Sequence, residues 1–540
     1  MNSLIAPSKE LGFSNIFLDF LAGTNPARNF YPSDSIEKVA EQIDKHSYPR
    51  EAMARILEEQ NELFGASDIT FENIRKLTDQ KSLCVFTGQQ AGLFGGPLLV
   101  VIKALAIVKC AAYYSEKLNR PVIPIFWIAG DDHDYEEVNH TYLLNKNSEL
   151  EKVTYETVPE IENPTAELFF DNEEELARLK NQVKEILGET DFTSELYEIL
   201  DKAYQSSDGY VTAFGKFMAA ITKKTGLVFF SPGDPKAKQI AKKLFVNIVE
   251  NQNQLHERLN NTNDAISSNG YHIQVEKKEN SAHLFYNFNG RKPLLAENGS
   301  FSVGETKVSK DELLKKIEQS PELFSTDVMT RPVLQSFLFP VLSQKGGAAE
   351  IAYLAQIHEL FPLFDIPVPY YRARPSMTVI EKRFEKIINE YDIKFGELAG
   401  DIEQLINRIM AVSFPDDLEK KFNDLRESVN AEINEFIQTT LKFDPTLEQF
   451  AEQSRGKVDY LLKGMEGKVF ASHKRKSQET RDKIYRLWHS VYPNRNFQER
   501  ALNVNYFLAR YGLDFIDFIY DKIDCEQSAH QLIHLSEYKQ

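Results

Sequence analysis

The stretch from Leu83 to Ile128 restricts the fold more than any other part of the chain. Leu83–Phe86 is a short apolar run that reads as a strand, and a glycine-rich turn, Thr87 to Gly96, follows it. Pro97 suits the first position of a helix, and the apolar helix it opens runs to about Leu118. Arg120-Pro121 ends that helix, and Val122–Ile128 is a second apolar strand. Strand, turn, helix and strand make a βαβ unit, so the chain is read as α/β with a parallel sheet. A helix apolar on every side needs neighbours on both. Leu98 to Tyr114 carries Lys103 and Lys109 and is short for a membrane span, so it is read as buried.

A further unit begins at Leu227–Phe230, turns through Pro232-Gly233-Asp234 and continues as a helix from Lys236 to Glu250. Between the units, Asn145 to Thr190 is acidic and reads as an insertion. Tyr271 to Val308 alternates and is rich in Gly and Asn, which suggests β-hairpins. Ahead of the core the first eighty residues read as helical, with Ile36, Val39 and Ile43, then Met53, Ile56 and Leu57, on recurring faces. After Thr378, apolar residues such as Phe384, Ile402, Leu405, Phe422 and Val429 recur at helical spacing amid charge. Breaks at Gly396 and Ser413–Asp416 favour an antiparallel helical hairpin over one rod. The expected domains are 1–82, a helical segment packing on the core; 83–377, the core, with insertions near 145–220 and 271–325; 378–490, the helical domain; and 491–540, a segment returning to the core.

With 540 residues the chain exceeds one compact core. Its formal net charge of −17 argues against a protein whose main partner is a nucleic-acid backbone. Met1 to Gly12 lacks a basic start and an apolar run, so no export signal is expected and the location is read as cytoplasmic. Cys84, Cys110 and Cys525 are too few and too scattered for a disulfide framework or a Cys-rich zinc site. The run His473-Lys474-Arg475-Lys476 reads as a solvated helical face.

The chemistry is expected at strand ends. The turn Thr87, Gly88, Gln89, Gln90, Gly92, Gly95, Gly96 joins a buried strand to a helix N-terminus, where free N–H groups favour an anion. The alternative is a turn whose glycines only fit helix against sheet. It matches neither G-x-G-x-x-G nor the P-loop pattern. The second strand leads into Asp131-Asp132-His133-Asp134, then Glu136 and Glu137. This loop could hold a cation or supply a general base, with His133 the natural proton acceptor, or be an acidic solvated loop. Neighbouring side chains cannot all point inward, so two or three at most are expected to share a site. Gly346-Gly347 precedes another helix and offers a second anion site. Glu350, with Tyr353 on the same face and Gln356 a step further, could hold a substrate amine or answer the helix dipole. Arg331, Arg372 and Arg374 suit phosphate or a dicarboxylate such as malate, or surface ion pairs; Gln335 and Lys103 complete the expected binding set.

These residues resemble the BshC family, the cysteine-adding ligases of bacillithiol biosynthesis. The likeness rests on Thr87-Gly88-Gln89-Gln90 with Gly92, Gly96-Pro97 and Lys103, and on Phe126-Trp127-Ile128-Ala129-Gly130 with Asp132-His133-Asp134. It continues through Arg331-Pro332, Gly346-Gly347, Glu350-Ile351-Ala352-Tyr353, Gln356, Tyr492-Pro493-Asn494 and Gln498-Glu499-Arg500. The resemblance implies a Rossmann-type core with connecting insertions, a coiled-coil domain and a homodimer. It also implies distant kinship with class I aminoacyl-tRNA synthetases, although the turn has no histidine and no KMSKS-like run follows the last core strand. The activity it implies is carbon–nitrogen ligation, joining cysteine to glucosaminyl-malate at the expense of ATP. From their placement at strand ends, the residues expected to be catalytic are Asp132, His133, Asp134 and Glu350; Mg2+ is admitted, with no protein metal site expected. Two other readings stay open from the residues: a non-catalytic nucleotide-binding scaffold, and a nucleotidyltransferase acting on another small carboxylic acid.

Overall fold

The computed structural model describes residues 3–297, 299–413 and 418–538. Five strands form the central sheet: β1 (Leu83–Gln89), β2 (Val122–Ile128), β3 (Val228–Phe230), β4 (Val341–Gly346) and β5 (Tyr370–Ala373). All neighbours are parallel, in the order β5-β4-β1-β2-β3. This is the doubly wound, Rossmann-type arrangement. Both faces are covered, so Leu83–Phe86, Val122–Ile128 and Val228–Phe230 are continuous apolar runs rather than alternating ones. Leu83, Val85, Phe126 and Ile128 face one core; Cys84, Phe86, Ile125 and Trp127 face the other.

Helix α1 (Leu98–Leu118) follows β1 and lies in the first core with Phe214, Phe217 and Tyr506. It is long and apolar enough to cross a membrane, yet it is largely buried inside the α/β unit. Pro97 proves to be its cap rather than its first residue. Helix α2 (Pro235–Glu250) follows β3, and α3 (Ala348–Ile357) follows β4; both lie in the second core. The chain therefore leaves β1 and β4, which are adjacent, toward opposite faces. A crevice opens between them at their carboxyl ends.

Strand β1 runs to Gln89, so Thr87, Gly88 and Gln89 belong to the sheet and not to the turn. Likewise β5 covers 370–373, which places Arg372 in a strand rather than after one. The acidic insertion holds a hairpin, His140–Leu144 with Leu150–Thr154, and the helix Glu173–Leu187. Three of its glutamates, 173 to 175, fill the first turn of that helix, where negative charge answers the dipole. The Gly- and Asn-rich insertion is an antiparallel meander of Ser281–Asn287, Arg291–Glu297, Ser300–Val303 and Thr306–Ser309, extended by Phe324–Thr326. Its first turn passes through Asn289 and Gly290, both left-handed at φ 53° and 93°.

The N-terminal segment is not wholly helical. Ser3–Ile5 pairs with His530–His534, which also pairs with Ser376–Ile380. His530 is 1% exposed at the centre of this sheet, its Nδ1 2.7 Å from Ser376 Oγ and its Nε2 2.9 Å from Thr378 Oγ1. Burial pulls its pKa down to about 4 against the opposing pull of Glu499. The folded state thus binds this proton more weakly than the unfolded chain does. Its contribution to stability is complete above pH ~6.5 and falls by up to ~3 kcal/mol as pH drops toward 4. His530→Gln is expected to flatten that interval, as read by denaturant unfolding at pH 7 and pH 4.5.

Two compact units result: 1–380 with 496–540, and 381–495. The second is helical, with Lys382–Glu390, Phe395–Ala399, Ile402–Ser413, Leu418–Phe443 and a 44-residue helix, Glu448–Val491. A reversal falls at Asp444–Leu447, which the sequence reading did not mark; the break read at Ser413–Asp416 falls on residues outside those described. Gly396 lies inside a helix; the break falls just before it, at Asp392, whose φ is 47°. Residues 414–417, and the side chains of His473, Lys474 and Lys476, lie outside the described residues; Arg475 is exposed. Within this unit Arg481 holds Glu403 at 2.6 Å, and Trp488 Nε1 donates to Leu398 O at 3.0 Å.

Candidate active site

A cavity of ≈ 680 Å³ opens at the carboxyl ends of β1, β2 and β4, at the switch point of the sheet. Gly88, Gln89, Gln90, Gly92, Lys103, Asp132, His133, Arg331, Gln335, Gly347, Glu350, Tyr353 and Arg374 all line it. The loops after β1 and β2 meet directly, because Gln90 Nε2 donates to Asp132 Oδ2 at 3.0 Å.

Seven expected residues stand elsewhere. Thr87 is buried and donates to Lys345 O at 3.0 Å. Gly95 packs under Phe217, and its N–H donates to Tyr204 Oη at 2.8 Å. Gly96 is buried at φ 69°, a conformation that favours glycine. Asp134 caps a short helix, Tyr135–Val138, by accepting from Glu137 N. Gly346 ends β4, Gln356 is 1% exposed and bonded to Val275 and Asn263, and Arg372 pairs with Glu526. Much of the glycine turn is already bonded within the chain. Its N–H groups at 92, 95 and 96 and that of Leu98 are all bonded within the chain, while Asn503 and Asn505 hold the Phe94 carbonyl. Gly92 still borders the cavity, and a Cβ there would fall 3.0 Å from Gly96 Cα. Gly92→Val is expected to lower ligand affinity at least ~10-fold, about 1.4 kcal/mol, with helix content unchanged. Calorimetry and circular dichroism together check this.

The second expected anion site is also filled from within. Gly347 N–H donates to Glu350 Oε2 at 2.7 Å, so the carboxylate of α3 caps its own helix. The same carboxylate meets Lys103 Nζ at 2.8 Å. Burial alone would raise the Glu350 pKa, but Lys103, the Gly347 N–H and Arg331 outweigh it and hold the group ionised. Lys103 also donates to Gly88 O at 2.8 Å and Gln89 Oε1 at 3.0 Å, so its three protons are all used. Lys103 and Glu350 thus brace the wall between β1 and α3.

Four members of the acidic loop reach the cavity, Asp131, Asp132, His133 and Glu137, more than the sequence suggested. They face in because a short helix turns Glu137 back over Asp132. Asp131 is neutralised from behind by Lys238, 3% exposed, at 2.8 Å. Asp132 stays ionised: burial raises its pKa, but Gln90, Arg291 and Arg331 outweigh that. Glu137 is raised by burial, then by Asp134 and Asp132.

Arg291, on the meander, was not anticipated. Nothing in its neighbourhood marks it except the Asn289-Gly290 turn, which sets where the strand starts but not which side chain points inward. It donates to Ser325 Oγ at 3.1 Å, Thr326 O at 3.0 Å and His133 Nδ1 at 2.9 Å. A guanidinium is only a donor, so Nδ1 must be bare and the His133 proton sits on Nε2. Burial and Arg291 both lower the His133 pKa. As arranged, His133 is a neutral hydrogen-bond donor, and the proton-acceptor role read from sequence does not fit.

The charges do not cancel. Arg374 is paired with Glu499 at 2.7 Å, and Asp327 with His283 at 3.0 Å. Arg331 donates to Tyr353 Oη at 3.3 Å and, among the described residues, forms no ion pair; Arg500 forms none either. With Lys277 3.5 Å from Asp327, Arg291, Arg331 and Arg500 are left without an ion pair against Asp132 and Glu137, the lining carboxylates with no Lys or Arg partner, a surplus of positive charge that suits an anionic ligand. Among the described residues no three acidic, imidazole or thiol side chains converge as a metal site.

Fold and cavity define the class: a Rossmann-type α/β protein with a charged small-molecule cleft at its switch point, carrying a helical second unit. Residues 1–375 match the family model described as the N-terminal Rossmann-like domain of bacillithiol biosynthesis BshC, and residues 377–535 its C-terminal coiled-coil domain. A protein of Koribacter versatilis named "Putative cysteine ligase BshC" is 31% identical over 513 residues, 94% of this chain and 95% of that one. One of Bacillus cytotoxicus with the same name is 29% identical over 495 residues, 90% of this chain and 91% of the relative. The chain belongs to the BshC family of bacillithiol biosynthesis.

Proposed function

We propose that this protein is a carbon–nitrogen ligase that joins the carboxyl group of cysteine to the amine of glucosaminyl-malate, with ATP as the activating co-substrate. The observation that carries the reading is the surplus of guanidinium charge in one cleft, at the switch point of a chain matched over 94% of its length by a relative named "Putative cysteine ligase BshC". A free carboxylate is a poor acyl donor; ATP supplies the activation, and ADP or AMP leaves. Arg331 and Arg500 are the groups left to hold phosphate or the malate carboxylates, because their forks match two oxygens. The His133 Nε2–H is a donor for developing negative charge. Glu137, with its raised pKa at the cavity, is better suited than His133 to take the proton from the attacking amine. The cavity carboxylates Asp131 and Glu350 are already paired to lysines, so a Mg2+ ion is expected to arrive with the nucleotide phosphates, and no step is assigned to it. A homodimer belongs to the same proposal.

Purified protein incubated with ATP, cysteine and glucosaminyl-malate is expected to yield the amide-linked thiol, detected by mass spectrometry with matching nucleotide turnover. Nucleotide binding without product would favour a scaffold. Pyrophosphate release without cysteine would favour a nucleotidyltransferase.

A further inference from the structure

Gly88 stands beside Trp127 in the sheet, where a Cβ would fall 2.8 Å from the Trp127 carbonyl oxygen and 3.1 Å from its Cβ. With no side chain there, the cavity dips between β2 and β4 on the sheet face that carries Phe86 and Trp127. Gln344 on β4 is in register with Phe86, so its side chain lies on the same face. Gln335 reaches the dip from the helix Arg331–Leu338. Trp127, Gln335 and Gln344 are 1%, 4% and 8% exposed. The Trp127 ring packs on Phe230 and Phe86, at 4.9 and 6.5 Å between ring centres, so it offers the cavity its edge. Cδ1, the atom that carries Nε1, lies 3.6 Å from the place of a Gly88 Cβ. Among the described residues the indole Nε1–H has no hydrogen-bond partner. Gln344 Nε2 donates to Gln335 Oε1 at 3.1 Å, which leaves the Gln335 amide hydrogens and Gln344 Oε1 without a partner among the described residues. Burying such groups unbonded is unfavourable, and a ligand that bonds them removes the cost.

We propose that this recess is a specificity subsite for neutral hydroxyl groups, selected by Trp127, Gln335 and Gln344; given the ligase reading above, on which the assignment rests, they are the sugar hydroxyls of glucosaminyl-malate. The three side chains carry no charge and together present N–H donors and a carbonyl acceptor. A hydroxyl both donates and accepts, so it answers both kinds of group. A carboxylate or phosphate oxygen only accepts and would be set against Gln344 Oε1. An ammonium only donates and would be set against the indole N–H. A purine ring needs a flat face to stack on, and the faces of the indole are taken by Phe230 and Phe86. Arg331 lies four residues before Gln335 on the same helix face, so the charged and neutral sites are neighbours. A ligand with its carboxylates on Arg331 thus lays an adjoining sugar ring toward the recess.

The test is calorimetry of the full chain with glucosaminyl-malate, malate and ATP as separate probes. The unsubstituted protein is expected to bind glucosaminyl-malate more tightly than malate. Trp127→Phe, which removes the N–H and keeps an aromatic ring, is expected to weaken glucosaminyl-malate about 10-fold and to leave malate and ATP unchanged. Gln344→Met, close in shape but without the amide, is expected to do the same and serves if the Trp127 variant does not fold. Malate bound as tightly as glucosaminyl-malate by the unsubstituted protein would overturn the proposal. So would variants that weaken both equally, weaken ATP alone, or weaken nothing. Failure of the ligase reading shows separately, as an absence of thiol product from the complete mixture while the preference for glucosaminyl-malate over malate, and its loss in the variants, persists.

Discussion

Arg331→Ala is expected to lower kcat/KM for cysteine ligation by about 10²–10³ while leaving the circular dichroism spectrum unchanged. Arg331 opens the helix Arg331–Leu338, and its backbone N–H is anchored on Asp327 O at 2.9 Å. Its side chain crosses the cavity wall to Tyr353 and, among the described residues, meets no carboxylate. Removing the guanidinium therefore strips positive charge from the cleft without breaking an ion pair, because Glu350 keeps Lys103 and the Gly347 N–H, and Asp132 keeps Gln90. The loss should fall on the ligand and not on the fold. Arg331→Lys restores the charge but not the two-pronged fork, so it is expected to recover only part of the rate. Steady-state kinetics of the three proteins decides the matter: an alanine variant as active as the parent would show that Arg331 does not meet the substrate.

Glu499→Ala is expected to destabilise the α/β unit by about 3–5 kcal/mol. Glu499 is fully buried and accepts from Arg374 Nη2 at 2.7 Å, Ser376 Oγ at 2.9 Å and Met377 N at 2.8 Å. Alanine would leave the Arg374 guanidinium, 6% exposed, without its anion and free the returning C-terminal segment from the strand it binds. Burial pushes the Glu499 pKa up, but Arg374 and the other donors outweigh it and hold the carboxyl down. Its stabilisation is thus present above the unfolded carboxyl pKa and lost as pH falls through the folded one, a window below that of His530. Urea unfolding of Glu499→Ala, Arg374→Met and the double variant measures the coupling. If the two single losses simply add, the pair is not a unit and Arg374 is not held in the cavity wall by Glu499.

The βαβ unit was legible because its signal is local. Seven consecutive apolar residues at 122–128, bounded by Arg120-Pro121 and the acidic loop, leave little choice of element, and β2 spans that run. The glycine turn was legible as a turn but not as a closed one. Its N–H groups at Gly92, Gly95 and Gly96 and that of Leu98 are taken by its own carbonyls, Tyr204 and Leu502, and the last two partners come from distant parts of the chain. Sequence spacing also misjudged His133. Imidazole beside three aspartates suggests a base, whereas Arg291, far along the chain, occupies the nitrogen such a base would use.

By itself the sequence determined the βαβ unit from Leu83 to Ile128 and the strand and helix that begin near Leu227. It also indicated that polar residues gather at strand ends. These follow from hydrophobic periodicity, proline and glycine, which act over a few residues. Only the tertiary structure decided which of those polar groups are spent on each other and which are left for a ligand. Lys103 and Glu350 cancel, as do Asp131 and Lys238, and Arg331 remains. The physical reason is that pairing of buried charges depends on distances of a few ångströms between residues hundreds of positions apart, and chain order carries no record of them.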